Sequence, residues 1–290
     1  MGWKEVDEGL IRRGELILGL GFLGKYGEEL EEMNRGEEGK RFTLTHSHIR
    51  FLGVVRNLFG MPCRQLEGFA RALNGLVPRL PSGDYSGLRR RILRLDLSPY
   101  EDVEGSNEPI AISVDSTGVS VHRAGGWVER VHGKKKRYVK IHFAVNVETK
   151  EVVAMEVTTD DVHDSKVFSS LLEEAGNHRK VGKVYGDGAY DSSGVYELLE
   201  SKGIEEAIKP RRNSRLDTPS NARREAVNLY RRLGHRRWVE RKGYGKRWIA
   251  ETAYSTFKRA FGEHCMARDM ENIEKELTTK AFTYNTLINL

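Results

Sequence analysis

The hydrophobic period of the chain changes near residue 108, and that change restricts the fold more than any other feature. Upstream, apolar residues recur at helical spacing: Ile49, Leu52, Val55 and Leu58, then Leu66, Phe69, Ala70 and Leu73. Pro78, Pro81 and Gly83 interrupt the pattern, and Asp84-Tyr85-Ser86 is placed to cap a further helix through Leu88, Ile92 and Leu95. Downstream the period becomes two. Ile110 to Asp115 reads as a strand, and Tyr138 to Val147 as a second, with Val139, Ile141, Phe143 and Val145 on one face. Val152 to Val157 is a third, joined to the second by a turn at Thr149-Lys150. Asp164 opens a helix carrying Val167, Phe168, Leu171 and Leu172. Lys183 to Asp187 follows as a fourth strand, Val195 to Leu199 as a helix, and Glu206 to Pro210 as a short fifth strand.

Three strands, helix, strand, helix, strand predicts an α/β fold: a mixed sheet flanked by helices, in the strand order of the ribonuclease H-like fold. The division expected is an N-terminal helical region over 1–105 and a sheet domain over 106–290, with a basic insertion at about 211–245. In the helical region a helix, a turn and a basic helix outline a DNA-binding helix-turn-helix, although three helices also make a plain bundle.

Charge is distributed more tellingly than its total. The chain of 290 residues carries a formal net charge of +6. Residues 211–260 hold 15 Lys and Arg against 4 Asp and Glu, a local excess of 15 − 4 = +11. A second dense stretch is Lys134, Lys135, Lys136 and Arg137, with Lys140 close behind. Arginine dominates the larger cluster, which suits bidentate phosphate contacts. Such a cluster reads either as a solvated basic face or as a track for a polyanion. By contrast, no apolar run reaches the roughly 18 residues of a membrane span, and the N-terminus lacks the basic-then-apolar order of a secretory signal. The two cysteines, Cys63 and Cys265, stand far apart, which suits a reducing cytoplasm.

Two carboxylates stand where open α/β sheets place their chemistry. Asp115 ends the first strand and Asp187 the fourth, both at carboxyl termini. Gly186 and Gly188 flank Asp187 and let the backbone turn tightly. A lone strand-end aspartate serves as a turn or cap residue; two on neighbouring parallel strands point to a divalent cation, since hard cations take oxygen ligands. The third acid, Glu251, follows the basic stretch. Arg247, Glu251 and Lys258 stand four and seven residues apart on one helical stripe, and Ile249, Ala253, Phe257 and Ala260 form the apolar stripe that packs on the sheet. Arg247 and Glu251 could form a plain surface pair. An acid isolated among cations that call for phosphate reads better as part of a site.

The spacing Tyr244-x2-Arg247-x3-Glu251-x6-Lys258 resembles the Tyr-Arg-Glu-Lys signature of the DDE transposases of bacterial and archaeal insertion sequences. Val114-Asp115-Ser116-Thr117-Gly118 is similar to that family's first-aspartate strand, and Val184 to Asp191 to its second-aspartate motif. Thr158 to Lys166, and the stretches Arg64 to Phe69 and Asp84 to Ser86, also resemble the family. The resemblance implies a transposase that cleaves at terminal inverted repeats and transfers the ends to target DNA. It implies two divalent ions, Mg2+ or Mn2+, held by Asp115, Asp187 and Glu251. Tyr244, Arg247 and Lys258 would position phosphates of double-stranded DNA, with further contacts expected from Lys134, Lys135, Lys136, Arg137, Lys140, Arg211, Arg212, Arg236 and Arg237. A homodimer on DNA, associated with the nucleoid in the cytoplasm, is expected by analogy. Two other readings remain: a non-catalytic DNA-binding descendant of a transposase, and a hydrolytic nuclease of the same fold.

Other motifs carry less. Gly19-Leu20-Gly21-Phe22-Leu23-Gly24 fits the dinucleotide pattern, but no strand-helix-strand unit develops around it, so no nucleotide cofactor is expected. His46 and His48 read as polar surface positions. His122, His132 and His142 could be phosphate contacts or surface residues, and Asp164 and Asp191 read as helix caps.

Overall fold

A computed structural model of the chain describes residues 3–16, 19–36, 38–95, 97, 108–121 and 137–290. It divides into two compact units, Met1–Ser98 with Lys275–Leu290, and Pro99–Glu274. Residues 275–290, grouped above with the sheet domain, thus join the helical unit.

In the helical unit, α1 spans Trp3–Leu16, α2 Tyr26–Met33, α3 His46–Phe59, α4 Cys63–Leu76 and α5 Tyr85–Arg94. The last three bury one face each. Ile49, Leu52 and Val55 meet Leu66, Ala70 and Leu73, and both sets meet Leu88 and Ile92. Capping fixes the helix starts: the Thr45 hydroxyl accepts from the His48 amide at 3.1 Å, and the Asp84 carboxylate accepts from the Ser86 and Gly87 amides. Gly60, with φ 57°, ends α3 in the left-handed conformation. Phe22 and Tyr26 close the bundle over His48, which is buried between their rings. His48 is therefore a core residue, contrary to the surface position expected for it. The Gly19 to Gly24 stretch carries a short 3-10 turn at Gly21–Lys25.

The second unit is built on a six-stranded sheet. β1 covers Ile110–Val121, β2 Arg137–Asn146, β3 Val152–Thr159, β4 Val181–Gly186, β5 Glu205–Ile208 and β6 His264–Cys265. The order is β3-β2-β1-β4-β5, with β6 beside the far end of β1. β1, β2 and β3 are antiparallel, whereas β1, β4 and β5 run parallel. This is the mixed, ribonuclease H-like sheet expected from the strand order. The helices are α6 (Asp164–His178), α7 (Ser193–Ser201), α8 (Asn221–Lys242) and α9 (Trp248–Phe261), followed by α10 (Met270–Ile288).

Alternation along the strands sends side chains to two faces. Ile112 and Val114 of β1 and Ala144 of β2 point to α6 and α7, where they meet Phe168, Leu171, Tyr190, Val195 and Tyr196. The other face of β1 and β2 is covered by α9. There the Tyr254 ring stacks on Phe143 at 4.7 Å between centroids, and Phe257 packs edge-on to it at 5.4 Å. The odd-numbered residues of β1, Ser113 and Asp115, share that face.

One strand is longer than its local signal. β1 extends six residues past Asp115 because β2 pairs with it as far as Val121, despite Gly118 and two serines in the run. The 211–245 insertion is a loop followed by α8, whose helical path breaks at Gly234 with φ 71° and ψ 165°. Among the described residues no helix is long and apolar enough to cross a membrane.

Candidate functional site

The parallel register fixes the first two acids. Ser113 of β1 lies opposite Tyr185 of β4. Two residues further along are Asp115 on β1 and Asp187 just past the last residue of β4, so the two aspartates stand on adjacent strands where β4 ends, roughly 5 Å apart by strand spacing; Asp115 does not end its strand as expected, because β1 runs on to Val121. Asp187 follows β4 in extended conformation, and its carboxylate accepts from the Ala189 amide at 2.8 Å. Gly186, just before it, lies so close to Tyr190, Val114 and Ile208 that a Cβ would sit 3.3 to 3.5 Å from them.

Glu251 reaches the same place from α9. The turn Tyr244–Arg247 leads into this helix, and Glu251 occupies its first turn. Hydrogen bonds to the Arg247 carbonyl and from the Tyr254 hydroxyl help fasten the helix to β1. At its start, the Ser113 hydroxyl donates to the Arg247 carbonyl at 2.9 Å. One turn beyond Glu251, the Tyr254 hydroxyl donates to the Asp115 carbonyl at 2.7 Å and accepts from the Phe143 amide at 2.8 Å. Burial holds the Tyr254 phenol far above its usual pKa, so it remains neutral.

Arg247 stands between the acids. Its guanidinium reaches Asp115 Oδ2 at 3.4 Å and pairs with Glu251 Oε1. The i,i+4 pair with Glu251 therefore exists, but it is one half of a bridge to Asp115. Even so, burial pushes the Asp115 carboxyl up to about 6, with Asp187 and Glu251 adding to the rise, against the lowering pull of the Ser116 amide and Arg247. A single guanidinium thus leaves negative charge in excess, which is the electrostatic setting of a cation site. Burial opposes the charge on Arg247, yet Tyr244, Glu251 and Asp115 together hold its pKa above the usual value. Tyr244 donates to the Gly186 carbonyl at 3.2 Å, next to Asp187, and leans on Trp238 with centroids 4.9 Å apart. Burial, first among the causes, also raises its phenol.

The three carboxylates form the donor set that a hard divalent cation takes. As they stand they do not converge on one point: Asp115 and Glu251 both turn toward Arg247. Among the described residues no cluster of three or more His, Cys, Asp or Glu side chains is arranged as a ligand set.

The cations named from the sequence are placed variously. Lys258 lies two turns beyond Glu251 and approaches Glu263 at 4.0 Å. Lys140 is engaged within the fold: its ammonium donates to Asp164 Oδ1 at 2.9 Å and to the Val162 carbonyl at 2.7 Å. Arg211 wraps the loop after Asp187, donating to the carbonyls of Gly188 at 2.5 Å and Ala189 at 3.1 Å. Arg212, Arg236 and Arg237 are exposed, with Arg236 within 3.7 Å of Glu240. Lys134, Lys135 and Lys136 lie outside the described residues, as do His122 and His132; of Arg137 only the backbone, which opens β2, is described.

Both aspartates read as caps do something else. His163 caps α6, through its imidazole and the Ser165 amide, while Asp164 accepts from Ser116 Oγ at 2.9 Å and from Lys140. Asp191 is buried. It accepts from Arg223 Nε at 2.7 Å, from the Arg211 amide at 2.9 Å and from Ser214 Oγ. It ties the start of the basic segment to the loop that carries Asp187. His142 is likewise buried, bonded to Thr158 at 2.9 Å, and is neither surface nor an open phosphate contact. Sequence reasoning passed over Ser113 and Tyr254. The only signal for Tyr254 was an aromatic three residues after Glu251, inside the apolar stripe.

A family profile described as a transposase DDE domain matches residues 106–286, more than half of the chain, and a second of the same description matches residues 11–124. Among solved structures, the chain is similar to a piggyBac transposase synaptic complex with hairpin DNA, determined by cryo-electron microscopy. The identity is 12% and the TM-score 0.43, covering 94% of this chain and 73% of that one. It is also similar to the Drosophila P element transposase strand transfer complex, at 12% identity and a TM-score of 0.35, covering 94% and 70%.

Proposed function

The chain belongs to the DDE transposase family, and from that membership we propose that it cuts DNA at the ends of a mobile element and joins those ends to target DNA. The observation that supports this reading is the bridge that Arg247 makes between Asp115 of β1 and Glu251 of α9, beside the end of β4 that carries Asp187. These three side chains would hold divalent cations, Mg2+ or Mn2+. When bound, a pair of such ions activates the attacking hydroxyl and stabilises the leaving oxygen at phosphorus.

The remaining groups bind and orient. Arg247 presents a guanidinium that is held by the acids without DNA and is free to take a phosphate when cations satisfy them. Tyr244, anchored beside Asp187, and Lys258 further along α9 line the approach of a strand. Arg211 keeps the loop after Asp187 in place, and exposed arginines of α8 supply nonspecific phosphate contacts. In the helical unit, α5 exposes Arg89, Arg90 and Arg94 and reads as the helix that enters a major groove. Two copies acting on paired ends, and an origin in an insertion sequence, belong to the same proposal.

The test is incubation of the purified protein with Mn2+ or Mg2+ and DNA bearing the inverted repeats that bracket its reading frame. Cleaved ends and joined products are expected. Cleavage without joining indicates a hydrolytic nuclease, and binding without cleavage a non-catalytic descendant.

A further inference from the structure

The Tyr254 hydroxyl sits between two strands. Asp115 and Phe143 are opposite one another in the β1–β2 ladder. In an antiparallel pair, facing residues of the hydrogen-bonding kind exchange N–H···O=C bonds. Here the Phe143 amide donates to the phenol oxygen at 2.8 Å, and the phenol proton goes on to the Asp115 carbonyl at 2.7 Å, with the Ile141 carbonyl at 3.1 Å as its second acceptor. A helix side chain thus takes part in the rung that carries the first catalytic acid. The ring below it is stacked flat on Phe143, 7° from parallel, so the hydroxyl has little freedom to move.

The same side chain fixes Glu251. Residues three apart on a helix share a face, so Tyr254 lies one turn beyond Glu251 on the side turned to the sheet. A second fastening of α9 is the bond from Ser113 to the Arg247 carbonyl. The two fastenings are seven residues apart on the helix, about 10.5 Å along its axis, and Glu251 lies between them. On β1 they fall at Ser113 and Asp115, separated by about 6.6 Å. These two contacts, with the ring packing on Phe143 and the Arg247 bridge, set the relative position of two acids from distant parts of the chain.

We infer that Tyr254 is a positioning residue for the metal-ligating acids, acting through the Asp115 backbone and the seat of α9 and touching neither substrate nor ion. This inference rests on the proposed transposase chemistry. Replacing the hydroxyl with hydrogen leaves the stacked ring but removes the contact to Asp115. The Phe143 amide and Asp115 carbonyl then close on each other, and Asp115 shifts relative to Glu251.

The test is Tyr254→Phe beside Asp115→Asn. Three quantities are read for each: affinity for end DNA without metal, Mn2+ affinity of the DNA-free protein by electron paramagnetic resonance, and single-turnover cleavage. For Tyr254→Phe, DNA affinity stays at the wild-type level, while Mn2+ affinity and cleavage rate each fall by about 10- to 100-fold, the usual effect of losing a group behind a metal ligand. Wild-type Mn2+ affinity and rate in Tyr254→Phe, with both lost in Asp115→Asn, overturns the inference alone. Wild-type behaviour of Asp115→Asn overturns the transposase reading itself.

Discussion

Replacing Arg223 with alanine strands a charge inside the protein, and the consequences are calculable. The Asp191 side chain has no exposure to solvent and that of Arg223 only 14%. The guanidinium binds both carboxylate oxygens, Nε at 2.7 Å and Nη2 at 3.2 Å. Breaking a buried pair by deleting one partner costs about 3–5 kcal/mol, because the remaining charge stays desolvated. At roughly 2–4 °C per kcal/mol for a unit of this size, Tm should drop by on the order of 10 °C. The pH dependence gives a sharper signature. Burial opposes ionisation of Asp191, but Arg223, the Arg211 amide and Ser214 outweigh it, so the folded carboxyl titrates below its usual value. A depressed carboxylate contributes stability that is full above the unfolded pKa, about 3.9, and is lost as pH falls through the folded value. The gap between wild type and Arg223→Ala should be full at pH 7 and narrow below about pH 4. Urea unfolding followed by tryptophan fluorescence measures it. A loss under about 1 kcal/mol at pH 7, or one that does not change with acid, refutes the reasoning.

Two further outcomes follow from the site. With the Asp115 carboxyl titrating at about 6, Mn2+ binding to the DNA-free protein should be flat above that pH and weaken as pH falls through it, because the ligand must be ionised; calorimetric titrations across pH 5 to 8 measure this. The double variant Arg236→Ala, Arg237→Ala should weaken binding to all DNA sequences alike and reduce the slope of log affinity against log salt by about 2. An unchanged slope would place the DNA elsewhere.

Much of this architecture could be read before any coordinates, and the omissions have physical causes. Strands β1 to β4 were visible because each has one or both faces buried, which imposes a period of two or an unbroken apolar run. Asp115 and Asp187 stood out because both interrupt such runs at their carboxyl ends, where the parallel register then sets them level. What escaped depends on partners remote in sequence. Asp191 looks like a cap within its own neighbourhood, and only the return of Arg211, Ser214 and Arg223 reveals a buried junction. His48 looks polar until Phe22 and Tyr26 come from another segment to cover it. Tyr254 lies on the apolar face of its helix, where one hydroxyl makes no pattern, although it bonds the Asp115 carbonyl. Lys140, read as a DNA contact from its basic surroundings, answers the charge of Asp164.

The central claim is that Asp115, Asp187 and Glu251 act together on DNA, and it is tested most directly by substituting Asp187, which Arg247 does not engage. With Asp187→Asn, end DNA should bind with wild-type affinity while metal-dependent cleavage and joining fall by at least about 1,000-fold. Cleavage and joining at the wild-type rate would contradict the account.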